Sequence, residues 1–378
     1  VRGWVMSEIE PGGDTVFVPH DRMVALARAI FSAVGSSEKE ATDIATRLSG
    51  ANLRGHDSHG VIRIPRYVQW ARDGVQVPNM VVETVLDQPG FAIVDGRYGF
   101  GQSIGEQTVD IGIAKAKAQG VAVTALRNSG HLGRIGDWSE RCAAANVVSI
   151  HFVNVRGSLL VAPYGGLDRR FGTSPFSAGI PVAGGDPVIL DLATSTVAEG
   201  KALVALKGGK PLPGDALIDT DGKLTGDPAP LYGDVPEGQY PDPNNGPGAL
   251  TAFGAHKGSG LNFLMEMMAG ALGGSGTNGK IGEPKRRFCN GMFSFYVDAS
   301  RFDGQNVSGA GSMAEEILDF TAFVKSSRPT AAGGEVLVPG EKERHTMAER
   351  LKIGLPLARQ SWTDIVDTAK GLGVTVPE

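Results

Sequence analysis

The chain has 378 residues, of which 41% are hydrophobic and 20% charged, as in a globular protein of two or three domains. Its net charge of −5 excludes a broadly basic surface, so nucleic acid is not expected as a partner. No apolar run approaches the roughly 20 residues that cross a bilayer, so no membrane is expected either. Cys142 and Cys289 are too few for a disulfide framework, which favours a cytoplasmic location.

The beginning of the chain is predicted to be mainly helical. Residues 1–18 are expected to form an N-terminal extension without the basic and apolar regions of a secretory signal. Residues 19–90 follow as a helical segment that packs with the C-terminal helices. Ser37 and Glu40 have the spacing of a capping box at the start of one helix. That helix runs towards a histidine-rich motif at residues 54–63.

The middle of the chain, residues 91–310, alternates helix and strand and is predicted to form a sheet domain. A short apolar strand at 121–126 runs directly into a second histidine motif, and a helix at 137–145 follows it. His131 therefore lies on a strand-to-helix turn, where backbone N–H groups favour anions.

Two later segments have a distinct composition. Residues 207–250 are rich in glycine, proline and aspartate, and they predict a long flap with little core of its own. Residues 311–378 predict a C-terminal helical segment. Within it, the apolar run at 336–341 predicts a strand that ends in a turn.

The two histidine motifs carry the strongest signal for chemistry. Of seven histidines, three lie in Arg-Gly-His-Asp-Ser-His-Gly-Val-Ile-Arg at 54–63 and Asn-Ser-Gly-His-Leu-Gly-Arg-Ile-Gly at 128–136. Histidine titrates near neutrality, glycine lets the backbone approach a ligand, and arginine binds carboxylate or phosphate. These residue types indicate a site that moves protons and binds an anionic ligand. His20, His151 and His345 lack such neighbours and are predicted to be structural.

Three interpretations of these motifs remain open on the residues alone. In the catalytic one, a histidine transfers a proton, Arg63 neutralises a substrate carboxylate, and Ser58 or Asp57 orients an imidazole. In the second, the two histidines of the first motif bind a metal with Asp57 and His131, as in a metal-dependent hydrolase or lyase, although no known zinc signature is present. In the third, the histidines cap a helix end. Chemical completeness favours the catalytic interpretation, with no metal.

A nucleotide-binding fingerprint is missing. No G-x-G-x-x-G follows a predicted strand, so the motifs do not support a Rossmann domain. His256 and Lys257 precede a helix, where a cation and free amides suit a phosphate, but such a position is more often plain surface. Asp191 ends a strand and is equally suited to accept a ribose hydroxyl or to form the turn.

Taken together, the motifs resemble those of the type-2 malate/L-lactate dehydrogenase family. The resemblance covers about residues 20–375 and includes, in order, the two histidine motifs and the segments 171–176, 191–195, 256–258 and 338–341. It implies an α/β (α+β), non-Rossmann fold with a largely antiparallel central sheet in the cofactor domain. It also implies NAD(H) or NADP(H), and an active site in a cleft between the domains of an intertwined homodimer.

The resemblance also implies roles for individual residues. Protonated His131 is the favoured donor to the substrate oxygen, while other members of the family have the donor at the position of His59. In the favoured assignment His59 would lie beside that oxygen and the nicotinamide with Ser58 next to it, and Arg63 would pair with the substrate carboxylate. The implied cofactor-binding residues are His59, Gly133, Arg134, Ile135, Ile189, Leu190, Asp191, Leu192, Ala193, His256, Lys257, Asn290, Gly340, Glu341, Lys342 and Glu343.

The implied activity is an NAD(P)H-dependent interconversion of small 2-oxo and 2-hydroxy acids. A reductase of cyclic imino acids that uses NADPH is the alternative within the same family. The sequence departs from the family pattern at Ser174, where Asn is usual, and at Ser259, where Tyr is common. Both positions are expected to face the pocket or its rim.

Overall fold

The computed structural model describes residues 14–206, 211–236, 241–280, 286–302, 312–331 and 333–376. Most of the expected N-terminal extension, residues 1–13, and parts of the segment 207–250 lie outside the described residues. The last residues of the expected extension belong to the fold instead, because Thr15–Val18 form a strand that pairs with Leu355–Ala358 near the other end of the chain.

The strands are mostly apolar runs, and the longest of them belong to one sheet. In chain order they are β1 (Thr15–Val18), β2 (Glu83–Gln88), β3 (Phe91–Asp95), β4 (Val121–Ser129), β5 (Val147–Arg156), β6 (Pro175–Ile180), β7 (Val188–Ala193), β8 (Leu217–Ile218), β9 (Leu224–Thr225), β10 (Ala249–Leu250), β11 (Cys289–Asp298) and β12 (Leu355–Ala358).

The α-helices lie between these strands and at both ends of the chain. They are α1 (His20–Ala33), α2 (Glu38–Leu53), α3 (Ile64–Arg72), α4 (Gly101–Gln119), α5 (Gly136–Ala144), α6 (Glu199–Leu206), α7 (Ala229–Tyr232), α8 (His256–Met265), α9 (Met313–Lys325), α10 (Glu341–Ile353) and α11 (Arg359–Gly371). Short 3₁₀ turns span Asp57–His59 and Val61–Arg63, and a π-helical stretch continues α8 over Glu266–Leu272.

The strand predicted at residues 336–341 is wrong. The chain there is irregular up to Gly340, whose φ of 95° lies in the left-handed region that favours glycine, and α10 begins at the next residue. Glu341 and Glu343 lie in the first turn of α10, where negative charge is favoured by the helix dipole.

Among the described residues, the largest sheet has seven strands in the order β2-β3-β4-β11-β5-β6-β7. Only β3 and β4 run parallel, so the prediction of a largely antiparallel sheet is confirmed. Because the strands alternate in direction, one end of the sheet collects the end of β4, the start of β11, the end of β5, the start of β6 and the end of β7. This end is where the second histidine motif emerges.

A hydrophobic core joins the two ends of the chain. Leu26, Ile30 and Phe31 of α1 and Leu48 of α2 pack with Leu355, Leu357 and Ile365 from the C-terminal elements, and all are buried. A second core lies between the sheet and helices α4 and α5, with Trp138 fully buried inside it. The first core supports the first histidine motif, and the second supports the second motif.

The described part of residues 207–250 is more ordered than the expected flap with little core of its own. Strands β8, β9 and β10 form a small antiparallel sheet, and Leu217, Leu231 and Tyr232 are fully buried. They pack against Leu160 and Val161, which follow β5. The described part of this segment is therefore a compact subdomain beside the main sheet.

Within the described residues, no helix is long and apolar enough to span a bilayer. Cys142 and Cys289 are both buried and unpaired. The cytoplasmic location expected from the scarcity of cysteine stays a prediction.

Candidate active site

A cavity of about 1300 Å³ lies between the strand ends of the main sheet and the first histidine motif. Many residues that the sequence singled out line it together: Ser58, His59, Arg63, His131, Gly133, Arg134, Ile135, Asp191, Leu192, Ala193, Asn290, Lys342 and Glu343. They come from distant parts of the chain. The cavity therefore brings the two histidine motifs into one site.

The remaining sequence-predicted cofactor residues lie outside the lining of this cavity. Ile189 and Leu190 lie earlier on β7, and Gly340 and Glu341 lie at the start of α10. His256 and Lys257 are exposed at the start of α8, and the ring of His256 lies 5.8 Å from that of Tyr164.

Buried polar contacts hold the first histidine motif in place. Both carboxylate oxygens of Asp57 accept from the guanidinium of Arg350, at 2.6 and 3.0 Å, and Asn52 Nδ2 donates to Asp57 at 2.6 Å. Asn52 Oδ1 accepts from the backbone N–H of Val61 at 2.7 Å. A Cβ at position 60 would collide with this amide, so only glycine fits there. The motif is thus anchored to helices α2 and α10.

Ser58 and Arg63 form the immediate surroundings of His59. The Ser58 hydroxyl lies 3.0 Å from Nδ1 of His59, as expected for a residue that orients the imidazole. Arg63 Nε donates to the backbone carbonyl of Ser58 at 2.6 Å, and its Nη2 lies 4.0 Å from Glu199. Glu199 is therefore the carboxylate that faces Arg63 in this structure.

The backbone around His131 is fixed from several sides. The N–H of Leu132 donates to Oδ1 of Asn290 at 2.9 Å, and Asn290 donates to the carbonyl of Asn154 at 3.2 Å. The carbonyl of His131 also faces Gly101, where any Cβ would collide with it. Because β4 leads into this turn and β11 begins beside it, the sheet itself sets the position of the second motif.

The side chain of His131 is held by a residue that the sequence did not point to. Nδ1 of His131 lies 2.5 Å from the hydroxyl oxygen of Tyr67, and that oxygen accepts from Gln102 Nε2 at 3.1 Å. Tyr67 and Gln102 are both fully buried. Burial raises the pKa of Tyr67 to about 12, against the lowering effects of Gln102 and Arg63, so its phenol stays protonated near neutral pH.

The imidazoles of His59 and His131 are stacked, with ring centroids 5.6 Å apart and planes within 11° of parallel. Burial, and then the charge of Arg63, lower the pKa of His131 to about 3. Burial, His131 and Arg63 hold the pKa of His59 well below its usual range. Both rings are therefore neutral near pH 7 in the free protein. The protonated His131 that the resemblance implies belongs to the complex with substrate, and it stays a prediction.

Arg134 is the most deeply buried of the cations that line the cavity. Its Nη1 donates to Asp137 at 2.9 Å and to Glu140 at 2.8 Å, and its Nε lies 3.5 Å from Asp191. Nε and Nη2 have no hydrogen-bond partner, although the side chain is almost completely buried. Three carboxylates balance the charge of this guanidinium, and its two unpartnered nitrogens are themselves buried, so Arg134 orders this wall of the cavity.

Asp191 and Glu343 give the same wall of the cavity a negative side. Asp191 accepts from the backbone N–H of Gly136 at 2.9 Å, at the start of α5. A side chain at Gly136 would press on Asp191 and on the Arg134 guanidinium. Burial alone would raise the pKa of Glu343, but His56 at 3.4 Å and Arg134 lower it to about 2. Both carboxylates face the region that the sequence assigned to the cofactor.

The two serines that depart from the family pattern do not line the cavity. Ser174 is fully buried, and Ser259 accepts from the backbone N–H of Tyr164 at 3.0 Å. The expectation that they face the pocket is wrong. Gly157 and Ser158, which follow β5, are part of the lining.

Among the described residues, no group of three or more His, Cys, Asp or Glu is arranged to hold a metal ion. Asp57, a ligand in the metal interpretation, pairs with Arg350. The two stacked rings and Arg63 instead form a site with two neutral imidazoles and one cation.

Four residues of the site were missed on the sequence: Asn52, Tyr67, Gln102 and Arg350. Tyr67 follows Arg63 by four residues, which is the spacing that puts two side chains on one helical face, so this signal was available. The others act on residues far away along the chain, and no local pattern reveals them.

Comparisons with known proteins identify the family of the chain. A sequence model of the malate/L-lactate dehydrogenase family matches residues 18–366. The chain is 39% identical to hydroxycarboxylate dehydrogenase B of Escherichia coli (strain K12), over 92% of each chain. It is 33% identical to a Δ1-pyrroline-2-carboxylate/Δ1-piperideine-2-carboxylate reductase of Pseudomonas syringae pv. tomato, over 82% of this chain and 81% of the relative. The solved structure of malate dehydrogenase from Pyrococcus horikoshii OT3 has a TM-score of 0.82 at 28% identity, with 98% of this chain and 99% of that chain covered.

Proposed function

Because the chain belongs to the malate/L-lactate dehydrogenase family of oxidoreductases, we propose that it interconverts small 2-oxo acids and 2-hydroxy acids with NAD(H) or NADP(H). The observation that carries this proposal is the pair of stacked imidazoles next to Arg63 in one large cavity. A reduction of this kind needs a group that gives a proton to an oxygen and a cation that binds a carboxylate. The cavity holds both.

The residues present fit a dinucleotide. Lys342, a cation that lines the cavity, suits a phosphate, and the lack of a side chain at Gly133 leaves room for close approach. Asp191 is suited to accept from a ribose hydroxyl. His59 and Asn290 would line the same site, and the cavity volume suits a dinucleotide with a small acid. When bound, the reduced nicotinamide supplies the hydride that the protein itself lacks.

The protein's own residues bind the substrate and move the proton. Arg63 faces Glu199 at 4.0 Å in the free protein, and a substrate carboxylate would take that place. That carboxylate would offset the charge of Arg63, which lowers the pKa of His131 in the free protein, so the pKa of His131 would rise on substrate binding. His131 would then give its proton to the substrate oxygen as this oxygen becomes an alkoxide. His59 would lie beside that oxygen, oriented by Ser58.

A reductase of cyclic imino acids is the second candidate. The relative from Pseudomonas syringae supports it, since that protein is named for two such substrates. The same residues would act in the same roles, with the proton given to a ring nitrogen instead of an oxygen. The two candidates differ only in the substrate that fits beside Arg63.

The test is a screen of NADH and NADPH oxidation with 2-oxo acids and cyclic imino acids, followed at 340 nm. We expect kcat/KM to be higher for at least one 2-oxo acid than for any cyclic imine. Higher kcat/KM on a cyclic imine would replace the first candidate by the second. The assay is repeated after exhaustive chelation, and NAD(P)H oxidation that survives chelation excludes the metal-dependent hydrolase or lyase class.

We further propose that the protein is a homodimer, as the family resemblance implies. Helix α9 supports this, because none of its residues is buried in the single chain. Phe320 and Phe323 are stacked on one another and are 63% and 72% exposed. An apolar pair of this size normally marks an interface. Light scattering should give twice the chain mass, and Phe320→Glu with Phe323→Glu should shift the protein towards monomer; a monomeric parent protein would contradict the proposal.

A further inference from the structure

We propose that Tyr67, held in place by Gln102, is a positioning residue that lets His131 act as the acid and base of the reaction in both of its protonation states. This inference rests on the proposed function. Its basis is the contact of 2.5 Å between the Tyr67 hydroxyl and Nδ1 of His131, and the hydrogen bond of 3.1 Å from Gln102 to that hydroxyl. Tyr67 is locked as well by its ring, which packs against Phe31 and Trp70.

In the neutral state, the direction of these hydrogen bonds selects one tautomer. Gln102 donates to the Tyr67 oxygen, so the hydroxyl proton is free to point at His131. Nδ1 accepts that proton's hydrogen bond, and the ring proton is then on Nε2. Nε2 is the nitrogen left for the cavity that His131 lines. The free enzyme thus holds its donor nitrogen ready for a substrate oxygen.

In the protonated state, both ring nitrogens carry a proton, so Tyr67 must accept instead of donate. Its hydroxyl proton then needs a new acceptor. Gln102 provides one, because its Oε1 is buried without a hydrogen-bond partner, and a half-turn of the amide exchanges Oε1 and Nε2. When substrate binds, the site takes up one proton from solvent, so that Nδ1 and Nε2 both carry one. His131 then gives the Nε2 proton to the alkoxide, and Nδ1–H remains bonded to Tyr67. Proton exchange with solvent restores the Nε2–H tautomer once the product has left. Oxidation of a hydroxy acid runs through the same states in reverse.

The other groups that face His131 do not replace this contact. His59 lies against the face of the ring, and Arg63 contributes a positive charge that disfavours the protonated state. The phenol is therefore the group that stabilises the cation at Nδ1. Removing its oxygen should lower the pKa of His131 in the substrate complex, since a buried hydrogen bond to a charged group is lost.

The experiment compares Tyr67→Phe with Tyr296→Phe. Tyr296 is also a fully buried tyrosine, but its hydroxyl bonds to Thr124 inside the sheet core, at 2.9 Å. It therefore controls for the loss of a buried phenol. For each variant, the pH profile of kcat is measured in both directions, and ¹⁵N NMR of histidine-labelled, cofactor-free protein reports the tautomer of His131.

We expect Tyr67→Phe to lower kcat by about tenfold, less than the ~10²–10⁴-fold that acid–base catalysis as a whole contributes. The limb of the pH profile that reports His131 should move to lower pH by about one unit in both directions. The NMR signal should change from a single Nε2–H tautomer to a mixture, whereas Tyr296→Phe changes none of these readouts. An unaltered tautomer and pH profile in Tyr67→Phe would overturn the inference. The NMR result needs no substrate, so it tests Tyr67 even if the proposed reaction itself proves wrong.

Discussion

The two stacked histidines are supported in different ways. His59 is oriented by Ser58, its neighbour in the chain, at 3.0 Å. His131 is oriented by Tyr67 and Gln102, which come from helices α3 and α4. A local partner belongs to the same short turn and moves with it, while a partner from another helix fixes a ring against the whole fold. The difference favours His131 as the ring whose proton must be controlled.

Substitution of each histidine in turn tests this difference most directly. We expect His131→Asn to lower kcat by about 10²–10⁴-fold, the usual contribution of a general acid. His59→Asn is the matched variant, and it should lower kcat less, because its ring has only a local hydroxyl partner. Cofactor affinity, measured by tryptophan fluorescence, should remain close to wild type in His131→Asn. A larger loss in His59→Asn than in His131→Asn would reverse the assignment.

The sequence predicts local contacts of this protein better than contacts between distant residues. Ser37 accepts from the N–H of Glu40 as the capping pattern predicts. The reciprocal half is missing, because Asn79 accepts from the Ser37 N–H at 2.6 Å and donates its own N–H to Glu40 at 2.8 Å. Asn79, about forty positions away, thus replaces the side chain of Glu40 as the partner of the Ser37 N–H. The spacing of Ser37 and Glu40 does not predict this contact.

The site shows this limit as well. The spacing from Ser58 to His59 is visible in the sequence, and the family motifs brought both histidine segments together. The partner of Asp57 was not visible, because Arg350 lies 293 residues away and has no motif around it. The serine pair at 174 and 259 was misjudged for the same reason, since side-chain direction depends on packing that no motif records.

The next prediction concerns how the two histidine motifs are anchored to the rest of the protein. Asp57 and Arg350 form a buried ion pair beneath His59, whereas His131 rests on the sheet. Arg350→Met leaves the Asp57 carboxylate buried without its main partner, so the free energy of unfolding should fall by about 3–5 kcal/mol in urea titrations. The double variant Asp57→Asn with Arg350→Met removes the uncompensated charge and should be more stable than Arg350→Met alone. A double variant as unstable as the sum of the two single ones would argue against the ion pair.

Arg63 faces both rings and should act mainly on substrate binding. Arg63→Met should raise KM for carboxylate substrates by about 10- to 100-fold, because a hydrogen bond to a charged group contributes ~1.5–3 kcal/mol. Arg72→Met, at an exposed position at the end of helix α3, which Arg63 precedes, is the matched control and should leave KM unchanged. If Arg63→Met leaves KM unchanged as well, Arg63 does not bind the carboxylate.

The last and smallest predicted effect tests whether a lowered pKa is by itself enough to identify a histidine as catalytic. His151 is fully buried on β5, between Ser149 and Ser294, and burial lowers its pKa to about 3, the same value as for His131. Each ring takes up a proton in the unfolded chain below about pH 6.5 but stays neutral in the folded protein down to about pH 3, so stability falls as pH decreases through this window. Between pH 7 and pH 5, each of the two histidines should lower the free energy of unfolding by about 2 kcal/mol. His131→Asn and His151→Asn should therefore each weaken the pH dependence of unfolding by a similar amount, but only His131→Asn should lower kcat strongly. An equal loss of turnover in His151→Asn would mean that burial of the ring, and not its contact with Tyr67, sets the catalytic role.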